Sequence, residues 1–447
     1  MRLLTTGIAF ALAGTTHAKV ASEWLQSSHE NGTSPPTGRV DRNQMILLSG
    51  QPDVYNESQP DNCPTIMIGG AVTDGDWHSG DGWKKLPDVS GFDLNRLVVD
   101  EDSNATMPYY VENSKDLTQV KRVLITIAGL WRDAWKYSNN MRNSLICAAG
   151  RESIDADMDR ILIAAPQWLN EDDVDAGATE DSDIYFKSNN YNRGDAAIGP
   201  DDVDISSFEA MDKLVSHFWD QEIYPEMESI VIASHSLGGQ MVQRYAMLRP
   251  TQPEDPYITY GIMNPGSYAW LTSDRPARDS NCTDTYDNWG YGIGTDDPSA
   301  FPAYVRDEVL ANASAIRERY ISRKIFYGFG TADDGHGDRH CEAKWQGDSH
   351  IERGRNFQAM LEALPGGMPA TQSVSYIQNV SHEDYKMMVS EAMQRRMFLF
   401  DNDSATRTLT KDSESTAEPT SGAGRSMQTP QVGLGALMFF VLLGLYF

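Results

Sequence analysis

Ser236 lies in the stretch VIASHSLGGQ, residues 231–240, where an apolar run meets a serine and then two glycines. A serine hydroxyl is a weak nucleophile until a base removes its proton, so Ser236 needs an imidazole, and that imidazole needs a carboxylate to orient it. Both group types follow downstream. GFGTADDGHGD, 328–338, carries Asp333 and Asp334, and SYIQNVSHEDYKMM, 375–388, carries His382. The other nearby imidazoles are His235, His336, His340 and His350. His336 and His340 are spaced like a metal-binding pair, but they have neither a helical context nor a CxxC partner, so no metal is expected. Simpler readings exist for each stretch: Ser-His-Ser as a helix cap, and Ala-Asp-Asp-Gly as an Asx turn.

These groups meet only if ordered elements carry them to one place. RVLITIAGL (122–130), RILIAAPQW (160–168), SIVIASHS (229–236), YITYGIMNP (257–265) and KIFYGFG (324–330) are continuous apolar runs rich in β-branched residues. Such runs suit parallel strands buried on both faces. Helical patterns alternate with them. In 206–222, Ser206 and Glu209 form a capping box, and Phe208, Met211, Val215 and Phe218 recur at spacings of three and four. In 384–400, Met387, Met388, Met393 and Met397 recur at near-helical spacing and read as core packing. The alternation predicts an α/β sheet with crossover helices.

The strand, the sharp turn at Ser236 and the helix after it resemble the nucleophile elbow of the α/β-hydrolase family, G-x-S-x-G. Ser234 stands where the family has its first glycine, and Gly238 keeps the second. The resemblance covers roughly residues 115–400. It implies an α/β-hydrolase fold, a mostly parallel central sheet with helices on both faces and loop or lid insertions. In that family the acid and then the base follow the serine along the chain. By that order Asp333 is the acid, with Asp334 as its alternative, and His382 is the base. His336, His340 and His350 lie too near Asp333 to match the layout, and His235 is expected to point elsewhere. The resemblance also places the backbone N–H groups of Leu237 and Leu130 as oxyanion donors, with Trp131 as the alternative to Leu130. Trp131 and Trp135 line the pocket or belong to the core.

What this implies is a cell-surface serine hydrolase that opens an acyl bond, by expectation a carboxylic ester, through an acyl-enzyme, with no cofactor. The substrate would be a small-molecule or polymer-linked ester. The rival expectations are a non-catalytic adhesion or recognition protein on the same scaffold and a serine peptidase. Two polar, aromatic-bearing segments, 169–203 and 266–300, are expected as a lid or substrate wall. Four cysteines, Cys63, Cys147, Cys282 and Cys341, allow three pairings. Pairing Cys282 with Cys341 would tie the second segment to the Asp333 loop, and Cys63 would then pair with Cys147.

Of the 447 residues, 64 are acidic and 37 basic, a formal charge of −27 that would repel nucleic acid. The first 18 residues, MRLLTTGIAFALAGTTHA, read as a secretory signal peptide. Residues 19–115 form a lead-in with the first strands, 116–400 the catalytic core and 401–421 a Ser/Thr-rich stalk. Residues 422–447 end in an uncharged apolar run. With the small residues Ser421 and Gly422 before it, this run reads as a lipid-anchor (GPI) attachment signal, Ser421 being the expected attachment site. A single C-terminal membrane span is the alternative. The expected location is the outer face of the plasma membrane or the cell wall. Oligomeric state is not legible. Seven sequons, at Asn31, Asn56, Asn104, Asn281, Asn312, Asn379 and Asn402, agree with secretion.

Overall fold

Unbroken apolar strands must be covered on both faces, and the sheet satisfies that requirement. The computed structural model describes residues 82–400, apart from residues 90 and 114. The signal peptide, Asn31, Asn56, Cys63, Asn402, the stalk, Ser421 and the apolar end lie outside the described residues.

The strands are β1 (Phe92–Asp100), β2 (Ala105–Glu112), β3 (Arg122–Ile125), β4 (Ile161–Pro166), β5 (Ser229–His235), β6 (Ile258–Met263), β7 (Lys324–Gly330) and β8 (Gln372–Ile377). They form one sheet in the order β1-β2-β4-β3-β5-β6-β7-β8. β1 and β2 make an antiparallel hairpin, and β2 is antiparallel to β4. Every later pairing is parallel. Register sets the strand ends level, with His235 opposite Met263, Met263 opposite Gly328, and Gly330 opposite Ile377. The loops that carry Ser236, Asp333 and His382 therefore leave the same edge of the sheet. In open α/β sheets this carboxyl edge is where ligands bind.

The helices are α1 (Ala134–Ala149), α2 (Glu171–Ala176), α3 (Ser207–Trp219), α4 (Ser236–Leu248), α5 (Ala303–Ser322), α6 (Cys341–Lys344), α7 (His350–Glu362), α8 (Asp384–Val389) and α9 (Glu391–Phe398). Alternate residues of the strands, among them Val123, Ile125, Ile230, Ile232 and Phe329, join α3, α4, α5 and α7 in one apolar cluster. The expected stripe of α3 is buried there, and each such side chain contributes about 1.5–3 kcal/mol relative to exposure. Its capping box forms as expected: the Ser206 hydroxyl accepts from Glu209 N–H, and the Glu209 carboxylate accepts from Ser206 N–H. The opposite face of β7 shows at Gly328, where an added Cβ would press on Met387 and Met393. The four methionines of the last helices are fully buried, as packing residues.

Two local expectations change. The helical pattern over 384–400 is two helices, because Ser390 adopts an extended ψ of 140° between α8 and α9. β8 has no counterpart among the expected strands. It is a half-exposed edge strand, QSVSYI, and polar residues facing water hide it. The segments 169–203 and 266–300, expected as a lid or substrate wall, are packed into the fold. Phe186 and Tyr191 are fully buried beside Trp168, whose ring stacks on Tyr191 at 5.5 Å. Trp289 donates to Arg193 O at 2.7 Å, so the two segments hold each other. The expected Cys282–Cys341 disulfide is present, with Cα atoms 6.0 Å apart, and ties 266–300 to α6. Cys147 is buried, and the expected partner, Cys63, is outside the described residues. Asn104, Asn281, Asn312 and Asn379 are all exposed. Among the described residues no helix is long and apolar enough to cross a membrane.

Candidate active site

β5 delivers the chain to Ser236 in the left-handed region, at φ +61°, and α4 begins on that same residue. A non-glycine residue held there signals local strain, which the surrounding packing must impose. The packing is visible. An added Cβ on Gly238 would collide with Ile127 O and Ser234 Oγ, and one on Gly239 would come within 2.9 Å of Met263 O. Ser234 is wholly buried, and its hydroxyl donates to Ile127 O. That bond explains why serine replaces the first glycine: the side chain is small and its donor has a partner.

His382 sits in the loop between β8 and α8. Its Nδ1 lies 2.8 Å from Asp333 Oδ2 and its Nε2 lies 2.8 Å from Ser236 Oγ. A carboxylate only accepts, so Nδ1 carries the proton and the Nε2 lone pair faces the serine hydroxyl. Asp333 is buried whereas Asp334 is exposed, so Asp333 is the carboxylate the fold brings to His382. Burial alone would raise the Asp333 carboxyl, but the two imidazoles beside it, His350 and the hydrogen-bonded His382, outweigh that and hold the group well below the usual carboxylate range.

The loops are fastened together beneath this chain. Asp333 N–H donates to Gly330 O at 3.1 Å, and Ala332 N–H donates to Val380 O at 3.0 Å. Asn264, at the end of β6, accepts from Gly330 N–H at 2.8 Å and donates to Ser381 O at 3.3 Å. Asn264 is buried and has φ +42°; nothing in its sequence neighbourhood marks it.

Two histidines fall where the sequence did not put them. His235 does not point away: its buried ring lies 4.5 Å from that of His382. Burial first, and then the neighbouring His382, push it well below the ordinary histidine value, so it is neutral. His350, set aside for its nearness to Asp333, is stacked on His382 with centroids 4.0 Å apart. Its Nδ1 is 3.0 Å from Asp333 Oδ1, within ion-pair reach though off line for a hydrogen bond. A helix start 17 residues beyond the acid returns it to the site, which sequence spacing does not convey. His336 and His340 bond to Asp348 O and Asp338 instead.

The loop after β3 runs past the elbow. Its carbonyls are held by Trp83, whose Nε1–H donates to Trp131 O at 2.9 Å, and by Gln167, whose Nε2–H donates to Arg132 O at 2.6 Å. Arg132, at φ +57°, forms a two-pronged pair with buried Asp173 at 2.7 and 3.0 Å. With its carbonyls tethered, the loop holds the Leu130 backbone close to the turn at Ser236. Leu130 is 51% exposed and Trp131 37%, whereas Trp135 is 1% exposed and belongs to the core. The Leu237 N–H lies in the first turn of α4, where helix N–H groups lack intrahelical acceptors.

Asp333, His350 and His382 also bring one ligand-type atom each within 4.8 Å of the others. In this group both Nδ1 atoms face the Asp333 carboxylate itself, one at each oxygen. In the other such group, Cys282 and Cys341 with Glu342, the two sulfurs are bonded to each other.

No protein-family model matches the chain, and no curated protein does. Solved structures resemble it. A poly(aspartic acid) hydrolase-1 from Sphingomonas sp. KT-1 is 18% identical, with 69% of this chain and 98% of that one covered at a TM-score of 0.46. A poly(3-hydroxybutyrate) depolymerase from Bordetella parapertussis is 18% identical, covering 69% and 90% at 0.44. An S-formylglutathione hydrolase from Agrobacterium tumefaciens is 11% identical, covering 72% and 96% at 0.39. The mostly parallel eight-stranded sheet, with Ser236 on the turn between its central strand and the following helix, gives the chain an α/β-hydrolase fold.

Proposed function

We propose that the protein is a serine hydrolase that cleaves carboxylic esters through an acyl-enzyme. The observation that carries this reading is the unbroken chain Asp333–His382–Ser236, with 2.8 Å at each link, ending on a strained turn at a helix N-terminus. Ser236 Oγ attacks the acyl carbonyl carbon as its proton passes to His382 Nε2, and Asp333 stabilises the resulting imidazolium. The developing oxyanion accepts from Leu237 N–H, aided by the positive end of α4, and from Leu130 N–H. His382 then protonates the leaving alkoxide, water repeats the sequence in reverse, and the acid departs. Leu130 and Trp131, exposed beside the site, suit an apolar substrate group.

The test is labelling of the full chain, expressed in a secreting eukaryotic host, with a fluorophosphonate probe. Wild type should label, and Ser236→Ala and His382→Ala should not. A well-folded wild type that stays unlabelled and inert to simple esters would sink the reading and favour an adhesion module.

The same proposal places the protein on the cell surface through a lipid anchor. Its support is the signal-like start, the small residues at 421–423 before an uncharged end, and four exposed sequon asparagines. Phosphatidylinositol-specific phospholipase C should release the protein from intact cells; retention would favour the membrane span.

A further inference from the structure

The carboxylate of Asp333 has two imidazoles, one for each oxygen. His382 Nδ1 is 2.8 Å from Oδ2 and His350 Nδ1 is 3.0 Å from Oδ1, with the two rings stacked at 4.0 Å. The loop backbone is stitched to the start of α7 as well. His350 N–H donates to Gly335 O and Ile351 N–H donates to Asp333 O, each at 3.0 Å. Ser349 caps the helix through Glu352 N–H, so the His350 Cα is fixed relative to Asp333. His350 is 7% exposed, and burial lowers its affinity for a proton, so it meets Asp333 as a neutral imidazole whose Nδ1 is near Oδ1 but off line for a hydrogen bond.

We propose that His350 is a positioning residue for the Asp333–His382 pair. The carboxylate torsion of an aspartate is broad and roughly two-fold, so one hydrogen bond does not define the plane of the group. A second N–H 3.0 Å from Oδ1, off line for a hydrogen bond but close enough to attract the carboxylate charge, restrains it and keeps Oδ2 aimed at His382 Nδ1. The stacked ring gives His382 a flat surface that limits its tilt. This inference rests on the hydrolase reading for its kinetic consequence but not for its geometry.

Two substitutions separate the donor from the ring. His350→Phe keeps an aromatic ring of similar area and loses the donor. His350→Asn loses the ring but retains an N–H at the place of Nδ1. If His350 positions the acid, the Phe variant loses about 10- to 100-fold in kcat toward a p-nitrophenyl ester, the scale known for removing an outer partner that orients a metal-ligating histidine. KM should stay within about two-fold, and Asn should recover most of the loss. A Phe variant with wild-type kcat, or an Asn variant as impaired as Phe, would overturn the proposal in favour of plain ring packing. Proton NMR of the ring N–H groups supplies a readout that does not need turnover. The His382 Nδ1–H resonance should shift or broaden in the Phe variant and persist in the Asn variant; an unchanged resonance in both would also overturn it. If wild type is inert while the NMR pattern holds, the hydrolase reading fails and the positioning role stands.

Discussion

At the residue scale, the site depends on small side chains and a few donors whose partners are already in place. Ser236 accepts a left-handed backbone because Gly238 and Gly239 let strand and helix close around it, and because Ser234 fits beneath with its hydroxyl bonded to Ile127 O. Ser236→Ala leaves that backbone as strained as before and removes one oxygen, so its effect reads chemistry, not folding. The expected loss in kcat is about 10⁴-fold or more, and His382→Ala should match it, since members of such a chain act as a unit. Single-turnover hydrolysis of a p-nitrophenyl ester measures both; a variant within tenfold of wild type would show that Ser236 is not the nucleophile.

At the scale of elements, the loop after β3 is held from a different segment. Asp173, in α2, is fully buried and receives two hydrogen bonds from Arg132, while Trp83 N–H donates to the same carboxylate at 2.9 Å. A buried pair adds little over a well-packed apolar one, but removing one partner strands the other charge and costs about 3–5 kcal/mol. Asp173→Ala should therefore lower Tm by several degrees and slacken the loop that carries Leu130. Thermal unfolding followed by circular dichroism decides it, and an unchanged Tm would mean that the pair does not hold the loop. Residues 169–203 are anchored in the same way, since they include Phe186 and Tyr191, both in the main core.

At the scale of the whole molecule, acid should destabilise the fold in two stages. Burial lowers His217, His235 and His350 below the ordinary histidine value, near 6.5. Their unfolded forms then bind more protons than their folded forms below that pH. The stability they contribute is complete above about pH 6.5 and is lost as pH falls through it, at up to about 1.4 kcal/mol per pH unit for each histidine. Asp333 acts in the same sense lower down, its contribution present above the usual carboxylate range and lost as pH falls below it. The formal charge of −27 does not mask the first stage, because ordinary carboxylates remain ionised between pH 8 and about 5.5; the aspartates that burial raises, Asp133, Asp195, Asp212 and Asp287, act in the opposite sense only as they take up protons. Tm measured across that interval should fall toward the acid end; a flat profile would contradict neutral burial of these rings.

The sequence by itself determined the α/β alternation, five strands, the elbow and the capping box at Ser206, and the family resemblance then named Ser236, Asp333 or Asp334, and His382 as the candidate trio. Each is a local pattern: apolar runs need cover, turns need small residues, and caps need a hydroxyl three residues before a glutamate. Only the tertiary structure decided between Asp333 and Asp334, since burial and distance to His382 are not local properties. It also brought His350 and His235 to the site and made Asn264 a strut between loops. These residues meet because level strand ends and a returning helix bring distant parts of the chain together, and the type of a residue carries no record of what lies across the sheet edge from it.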